Sequence, residues 1–387
     1  MSLETVRLET LAAEGRYSLI GGPFGSKLTS KDYVAEGIPV IRGSNMNGGR
    51  YLDETDFVFV SEQKMREDLF GNLAHPGDVV FTQRGTLGQV ALIPSEARTD
   101  TYVISQSQMK LTVDPEKADP RFIYYYFSSS EAQRRILNQN SSSGVPHINL
   151  TALRNFPVPK LPVSTQAAIA DILSAYDDLI ETNRRRIALL EEAARLLYRE
   201  WFIHFRFPGH EHVPFTDGLP NGWERRTFGE IAELKYGKAL KQENRVEGPF
   251  PVYGSSGIVG THQAGLVEGP TVIVGRKGNV GSIFWSPVDF WPIDTVYFIP
   301  KEQADFWLYL ALPSVGFQNT AAGVPGLNRD FAYSRKVIHP AARLRRLFNE
   351  AVEPMFEQRT TLETYNHKLA QARDLLLPRL MNGEIAV

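Results

Sequence analysis

Two short stretches of this chain place a basic side chain beside paired glycines: Arg84-Gly85-Thr86-Leu87-Gly88 and Lys277-Gly278-Asn279-Val280-Gly281. Each sits between two strand-like runs, GDVVFTQRGTLGQVALIP at 77–94 and GPTVIVGRKGNVGSIFWSP at 269–287. Glycine lets backbone approach a groove closely. Arg can grip guanine by two bonds, and Asn or Gln can do the same for adenine. Lys and glycine-flanked backbone amides suit phosphate oxygens. Side chains of the types such contacts would need are, in the first block, Lys27, Arg42, Asn45, Gln83, Arg84, Thr86, Gln106 and Gln108. The second offers Lys235, Lys238, Ser255, Ser256, Arg276, Lys277 and Asn279. For any one of them the competing interpretation is a turn carrying a solvated charge.

Catalytic patterns are missing. No G-x-x-x-x-G-K-[ST] loop occurs, and GGPFGSKL at 21–28 has the wrong spacing. GSSGIVG at 254–260 lacks the acidic position and following helix of a dinucleotide site. The Asn/Asp-Pro-Pro-aromatic loop expected of an adenine methyltransferase is absent. Asp53, Asp56 and Glu62 with Lys64 could form a nuclease metal site, a grouping that arises often by chance. His210-Glu211-His212 has no further ligands nearby in sequence, so no metal site is expected there. With no cysteine, disulfides and thiolate metal sites are impossible.

The elements that would position these residues come in two copies. The 387 residues suffice for two or three domains, and 42% apolar content supports a packed core. Net charge is -2, which gives no global sign of nucleic-acid binding but allows a basic face. No apolar run reaches membrane-spanning length, and MSLETVRLETLAAEG does not read as a secretory signal. The absence of cysteine is compatible with a reducing, cytosolic location. Strands are expected at 38–42, 78–83, 89–93 and 109–113, then at 271–275, 282–285 and 295–299. Helices are expected at 120–138 and 302–312, and a Pro- and Gly-rich linker at 207–222. Gly144-Val145-Pro146-His147-Ile148-Asn149 is answered by Gly323-Val324-Pro325-Gly326-Leu327-Asn328, and FPVPKLP by VIHP. VRLETLAAE near the start matches WERRTFGEIAE more loosely. The order block, helix, block, helix is an internal duplication.

The two long helical runs, 164–205 and 341–377, share one period. Alternating steps of four and three give Ile169, Leu173, Tyr176, Ile180, Asn183, Ile187, Leu190, Ala194, Leu197 and Trp201 in the first. In the second they give Leu344, Phe348, Ala351, Met355, Gln358, Leu362, Tyr365, Leu369, Ala372 and Leu376. A repeat averaging 3.5 residues is the seam of a coiled coil, with Asn183 and Gln358 as polar register markers. Ser164 or Thr165 should cap the first helix. Pro354 should kink the second, which should stop near Pro378. Runs of this length, roughly 60 Å each, need a partner. The chain is accordingly divided into a first domain at 1–163, a spacer helix at 164–206, linker and second domain at 207–339, and a C-terminal spacer helix and tail at 340–387.

These motifs together resemble the DNA-specificity subunit of type I restriction-modification systems. The most specific tracts are DDLIETNRRRIALLE, LLYREWF leading to LPNGWE, and RDLLLPRLMNGEI. GIPVIRGSNM, VVFTQRGTLGQVALIP, YGSSGIVG, VGRKGNVGSIFWSP and WPIDTVYFIP add to them. The resemblance implies an α+β chain. Two similar mixed α/β target-recognition domains would be separated by two long antiparallel coiled-coil helices, with pseudo-two-fold symmetry. It implies that each domain reads half of a split double-stranded DNA site and that the helices dock two methylation subunits. Restriction subunits would join through the methylation subunits. The chain would hold no cofactor of its own; S-adenosylmethionine, ATP and Mg would belong to its partners. Rival readings are a DNA-mimic inhibitor of such a complex, which should be far more acidic, a metal-dependent nuclease, and a scaffold that binds only protein.

Overall fold

The computed structural model describes residues 4–46, 49–139, 145–319 and 326–387. Gly144 and Gly323-Val324-Pro325 of the repeated motif lie outside them. The chain folds as two compact units, residues 1–182 with 365–387, and residues 183–364.

Unit 1 contains β1 (Leu19–Gly21), β2 (Ile38–Ile41), β3 (Val79–Thr82), β4 (Val90–Leu92), β5 (Tyr102–Ile104) and β6 (Gln108–Leu111). An antiparallel sheet runs in the order β1-β6-β3-β4. Its inner strands β6 and β3 are buried throughout because both faces are covered. Val79 and Phe81 point into a core with Phe122, Ile123 and Phe127, while Val80 points into another with Ile41, Tyr102 and Ile104. This is the period of two that a strand imposes. A second sheet holds β2 beside β5 in parallel, with Val40 opposite Val103. The expected helix at 120–138 is two helices, α1 (Pro120–Ser128) and α2 (Ser130–Asn138). Ser129 between them is extended, and its hydroxyl accepts from the Ala132 amide to start α2. The long helix α3 (Val163–Tyr198) follows. It begins before the expected Ser164 cap, with the Gln166 amide donating to the Pro162 carbonyl at 3.0 Å.

Unit 2 repeats the plan with β7 (Lys235–Tyr236), β8 (Phe250–Gly254), β9 (Gly257–His262), β10 (Thr271–Gly275), β11 (Ile283–Ser286), β12 (Trp291–Pro292) and β13 (Val296–Phe298). Its antiparallel sheet runs β7-β13-β10-β11, matching the first in order and direction. The neighbouring sheet runs β9-β8-β12, and β8 pairs with β12 in parallel, as β2 does with β5. Val272 and Val274 face one core and Ile273 the other. Instead of one helix at 302–312, a 3-10 turn at Lys301–Gln303 precedes α4 (Phe306–Ala311), capped by Asp305. The expected linker is partly folded: Phe207 and Leu219 are buried in this unit's core, beside Trp223 just past its end. Helix α5 (Ala342–Met381) is unbroken at both prolines and passes the expected stop at Pro378.

Within each unit α3 and α5 run antiparallel. In unit 1, Ile169 and Leu173 share a core with Leu377, Leu380 and Met381, and Arg373 pairs with Asp177. Ile180 is buried there, and Tyr176, Leu369 and Leu376 are half-buried. In unit 2, Ala194 and Trp201 pack with Leu344, Phe348, Val352 and Phe356; Arg359 meets Glu191 at 3.0 Å and Trp201 meets Phe348 at 5.6 Å. Leu362 is buried, while Asn183, Ile187, Leu190 and Met355 are half-buried. The second seam needs correction. Ala351, Gln358 and Tyr365 are exposed, Tyr365 by 54%. Their C-terminal neighbours Val352, Arg359 and Asn366 face inward instead. Arginine buries its stem and keeps its charge paired at the edge, so a search for apolar residues slips one position here.

Candidate nucleic-acid interface

The two glycine-bracketed turns have one backbone design. In unit 1 the amides of Gln83 and Arg84 donate to the Ser107 carbonyl at 2.7 and 3.3 Å. In unit 2 the amides of Arg276 and Lys277 donate to the Thr295 carbonyl at 2.9 and 3.0 Å. Arg84 bridges to His147, and Lys277 to Gly326. Gly85 and Gly88 have φ of 101° and 89°, and Gly278 and Gly281 have 79° and 78°. Side-chain-bearing residues would be strained at all four positions. Arg84, Thr86 and Asn279 are exposed at these turns, and Gln83 is half-buried.

In unit 1 a groove of about 660 Å³ lies beside the turn, lined by Gly25, Ser26, Arg42, Gly43, Gln106 and Ser107 among others. The Gln106 side-chain amide donates to the carbonyls of Gly25 and Leu28 at 2.7 and 2.9 Å. It thereby pins the loop that carries exposed Lys27 and Phe24; the phenyl ring is 78% exposed. Arg42 donates to the Asp56 carbonyl at 3.0 Å and stays about one-third exposed. Two candidates fail. Asn45 is 1% exposed and spends its amide on the carbonyls of Asp53 and Asp56 and on the Arg42 amide. Gln108 is fully buried, with its carbonyl oxygen accepting from the Ser105 hydroxyl. Both serve the fold rather than a groove.

In unit 2, Arg276 lies 4.8 Å over the Tyr236 ring and donates to the Asp294 carbonyl at 3.1 Å. Arg329 lies 5.3 Å from the same ring, so half-exposed Tyr236 is flanked by two guanidinium groups. Lys277 stands 3.9 Å from Asp294, with both side chains near half exposed. Lys238 and Ser256 are exposed, and the Lys238 ammonium is 6.0 Å from Trp291. Lys235 is exposed beside Glu233 at 3.8 Å. Ser255 is buried and accepts from the Asn279 amide at 3.4 Å, so it braces the turn rather than reaching out. Sequence reading missed Phe24, Tyr236, Arg329 and Trp291. Gly-Pro-Phe-Gly at 22–25 was the one available signal, an aromatic held on a turn.

The nuclease grouping does not assemble. Lys64 bridges Asp32 and Asp68 at 3.1 and 2.8 Å, and Glu62 pairs with Arg66 at 2.9 Å. The Thr55 hydroxyl and amide bind Asp53 and hold its carboxyl below the ordinary value. Among the described residues no cluster of three or more His, Cys, Asp or Glu side chains could hold a metal. No helix among them is long and apolar enough to cross a membrane.

Two α/β blocks of one design, each exposing basic and aromatic side chains around a braced turn, define a duplicated recognition protein. The family described as type I restriction modification DNA specificity domain matches residues 24–192 and 220–330. The chain belongs to that family, whose members are specificity subunits without a catalytic role of their own. It is 22% identical to the type I restriction enzyme MjaIX specificity subunit of Methanocaldococcus jannaschii, over 92% of this chain and 89% of that protein. It is 21% identical to the type I restriction enzyme HindI specificity subunit of Haemophilus influenzae, over 80% of this chain and 86% of that one. The crystal structure of a type I restriction-modification S subunit from M. genitalium has the same fold. It matches with a TM-score of 0.57 and 20% identity, over 97% of this chain and 95% of that chain.

Proposed function

We propose that each of the two domains reads one half of a split duplex site and that α3 and α5 set the unread gap between the halves. The duplicated basic turn is the observation that carries this reading. One backbone design presents different side chains, Arg84 and Thr86 in one copy, Lys277 and Asn279 in the other. A shared scaffold with unlike donors suits two unlike half-sites. Exposed Lys27, Arg84 and Lys238 and half-exposed Lys277 supply phosphate and base contacts, and Phe24 and Tyr236 supply apolar surface. The positions 1–163 and 207–339 are the two reading segments.

The partners are double-stranded DNA, two methylation subunits, and restriction subunits held through them. Leu189, Leu196 and Ile203 recur every seven residues and are each close to half exposed or more, which suits docking of a methylation subunit. S-adenosylmethionine, ATP and Mg belong to the partner subunits, and the complex works in the cytoplasm of a prokaryote. Exchanging residues 207–339 for the matching segment of another such subunit tests the reading. Mapping of methylated adenines should show one half of the site replaced and the other kept. An unchanged site would overturn it.

A further inference from the structure

In unit 1 the first domain is tied to α3 by a ladder of polar contacts, which meets the α3–α5 seam at Asp177. Gln166, 2% exposed, accepts from the Asp119 amide at 3.1 Å and donates to the carbonyls of Lys117 and Leu161. Further along α3, Asp171 accepts from Arg121 at 2.6 Å, and the same guanidinium grips Asp119 at 2.6 Å. Beyond that, the Tyr125 hydroxyl donates to Asp177 at 2.6 Å. Burial, then the charge of Asp177, raises the Tyr125 phenol well above its ordinary value and keeps it a donor. Arg50 donates to the Tyr125 oxygen at 3.3 Å, pairs with Asp178 and lies 4.4 Å over the Tyr51 ring. Arg373 of α5 pairs with the other oxygen of Asp177.

Such a cluster adds little net stability, because removing charges from water offsets the attraction they regain. What it supplies is direction. Apolar packing tolerates rotation, whereas the Arg50 side chain, only 7% exposed, meets a carboxylate in one orientation of domain on helix. A swing of the domain would leave that guanidinium buried and unpaired. Duplex DNA makes orientation matter. Each base pair added between half-sites shifts the second by roughly 3.4 Å and turns it by roughly 35°. A domain free to swing could follow such a change; a clamped one could not.

We propose that Arg50, Tyr125, Asp177 and Asp178 are positioning residues through which the complex rejects DNA sites of the wrong gap length. This rests on the bipartite reading given above. The test uses the full complex with its methylation subunits and S-adenosylmethionine. Its duplexes carry the mapped half-sites at the natural gap and at one base pair more or fewer. Asp178→Asn changes a side chain that is 63% exposed, so folding is retained. Arg50→Met removes the buried charge without leaving another buried one. Both variants should keep methylation at the natural gap and lose gap preference by about tenfold, a differential effect rather than a general loss. Arg50→Lys should restore part of it. Unchanged preference in both variants, or an equal fall at every gap, would overturn the proposal. A wild-type complex indifferent to the gap would instead overturn the bipartite reading itself.

Discussion

Lys277 and Asp294 stand 3.9 Å apart with both side chains near half exposed, a pairing that stabilises little in water. The ammonium is therefore available to a phosphate. Lys277→Ala should weaken DNA binding across sequences and flatten the salt slope by about one unit. Filter binding over a salt series checks this, and an unaltered slope would remove Lys277 from the phosphate contacts. His339 gives a pH dependence. Burial, then the charge of Arg345, holds its imidazole below the ordinary value. The folded state binds that proton less readily than the unfolded chain. The associated stability is whole above the unfolded value of about 6.5 and is lost as pH falls through the lower folded value. Thermal melting should drop more between about pH 7 and 5 in the wild type than in His339→Gln; parallel curves would exclude the effect. At this scale the sequence could nominate residue types but not exposure. Asn45 looks as apt for adenine as Asn279 does. What buries it is hydrogen bonding to Asp53 and Asp56, which lie across a loop.

The long helices were the most readable elements, because a seam repeated over many turns leaves few alternatives. Phe348 is fully buried against Trp201, Phe202 and Tyr198. Phe348→Ala should cost about 3–5 kcal/mol in urea unfolding, and a cost below about 1 kcal/mol would show that this seam is poorly packed. The phase of α5 has its own test. Gln358→Ala should stay within about 0.5 kcal/mol of the wild type. Arg359→Ala, which removes a partly buried stem and the pair with Glu191, should cost about 1–2 kcal/mol. The reverse order would restore the seam read from sequence. Central strands such as Thr271–Gly275 were legible as β-branched runs. The edge strands Leu19–Gly21 and Lys235–Tyr236 were not, since two or three residues carry no period and gain their place by pairing.

The duplication spans the whole chain and was visible in sequence because glycine turns and their flanking strands recur in order. Matching sheet order in the two units gives it a physical basis. What the sequence could not supply is how the first domain grips its helix, since Arg50, Tyr125 and Asp178 are far apart along the chain. Helix α3 begins in unit 1 and ends in unit 2. A spacer of this kind predicts that one extra helical turn near Thr182 and its counterpart in α5, about 5.4 Å, lengthens the unread gap of the methylated site. The most direct measurement is genome-wide mapping of methylated adenines in cells carrying the methylation subunits with and without this chain. Modification is expected at one two-part sequence with a fixed gap, present only with the chain. The same positions modified in its absence, or a continuous site without a gap, would contradict it.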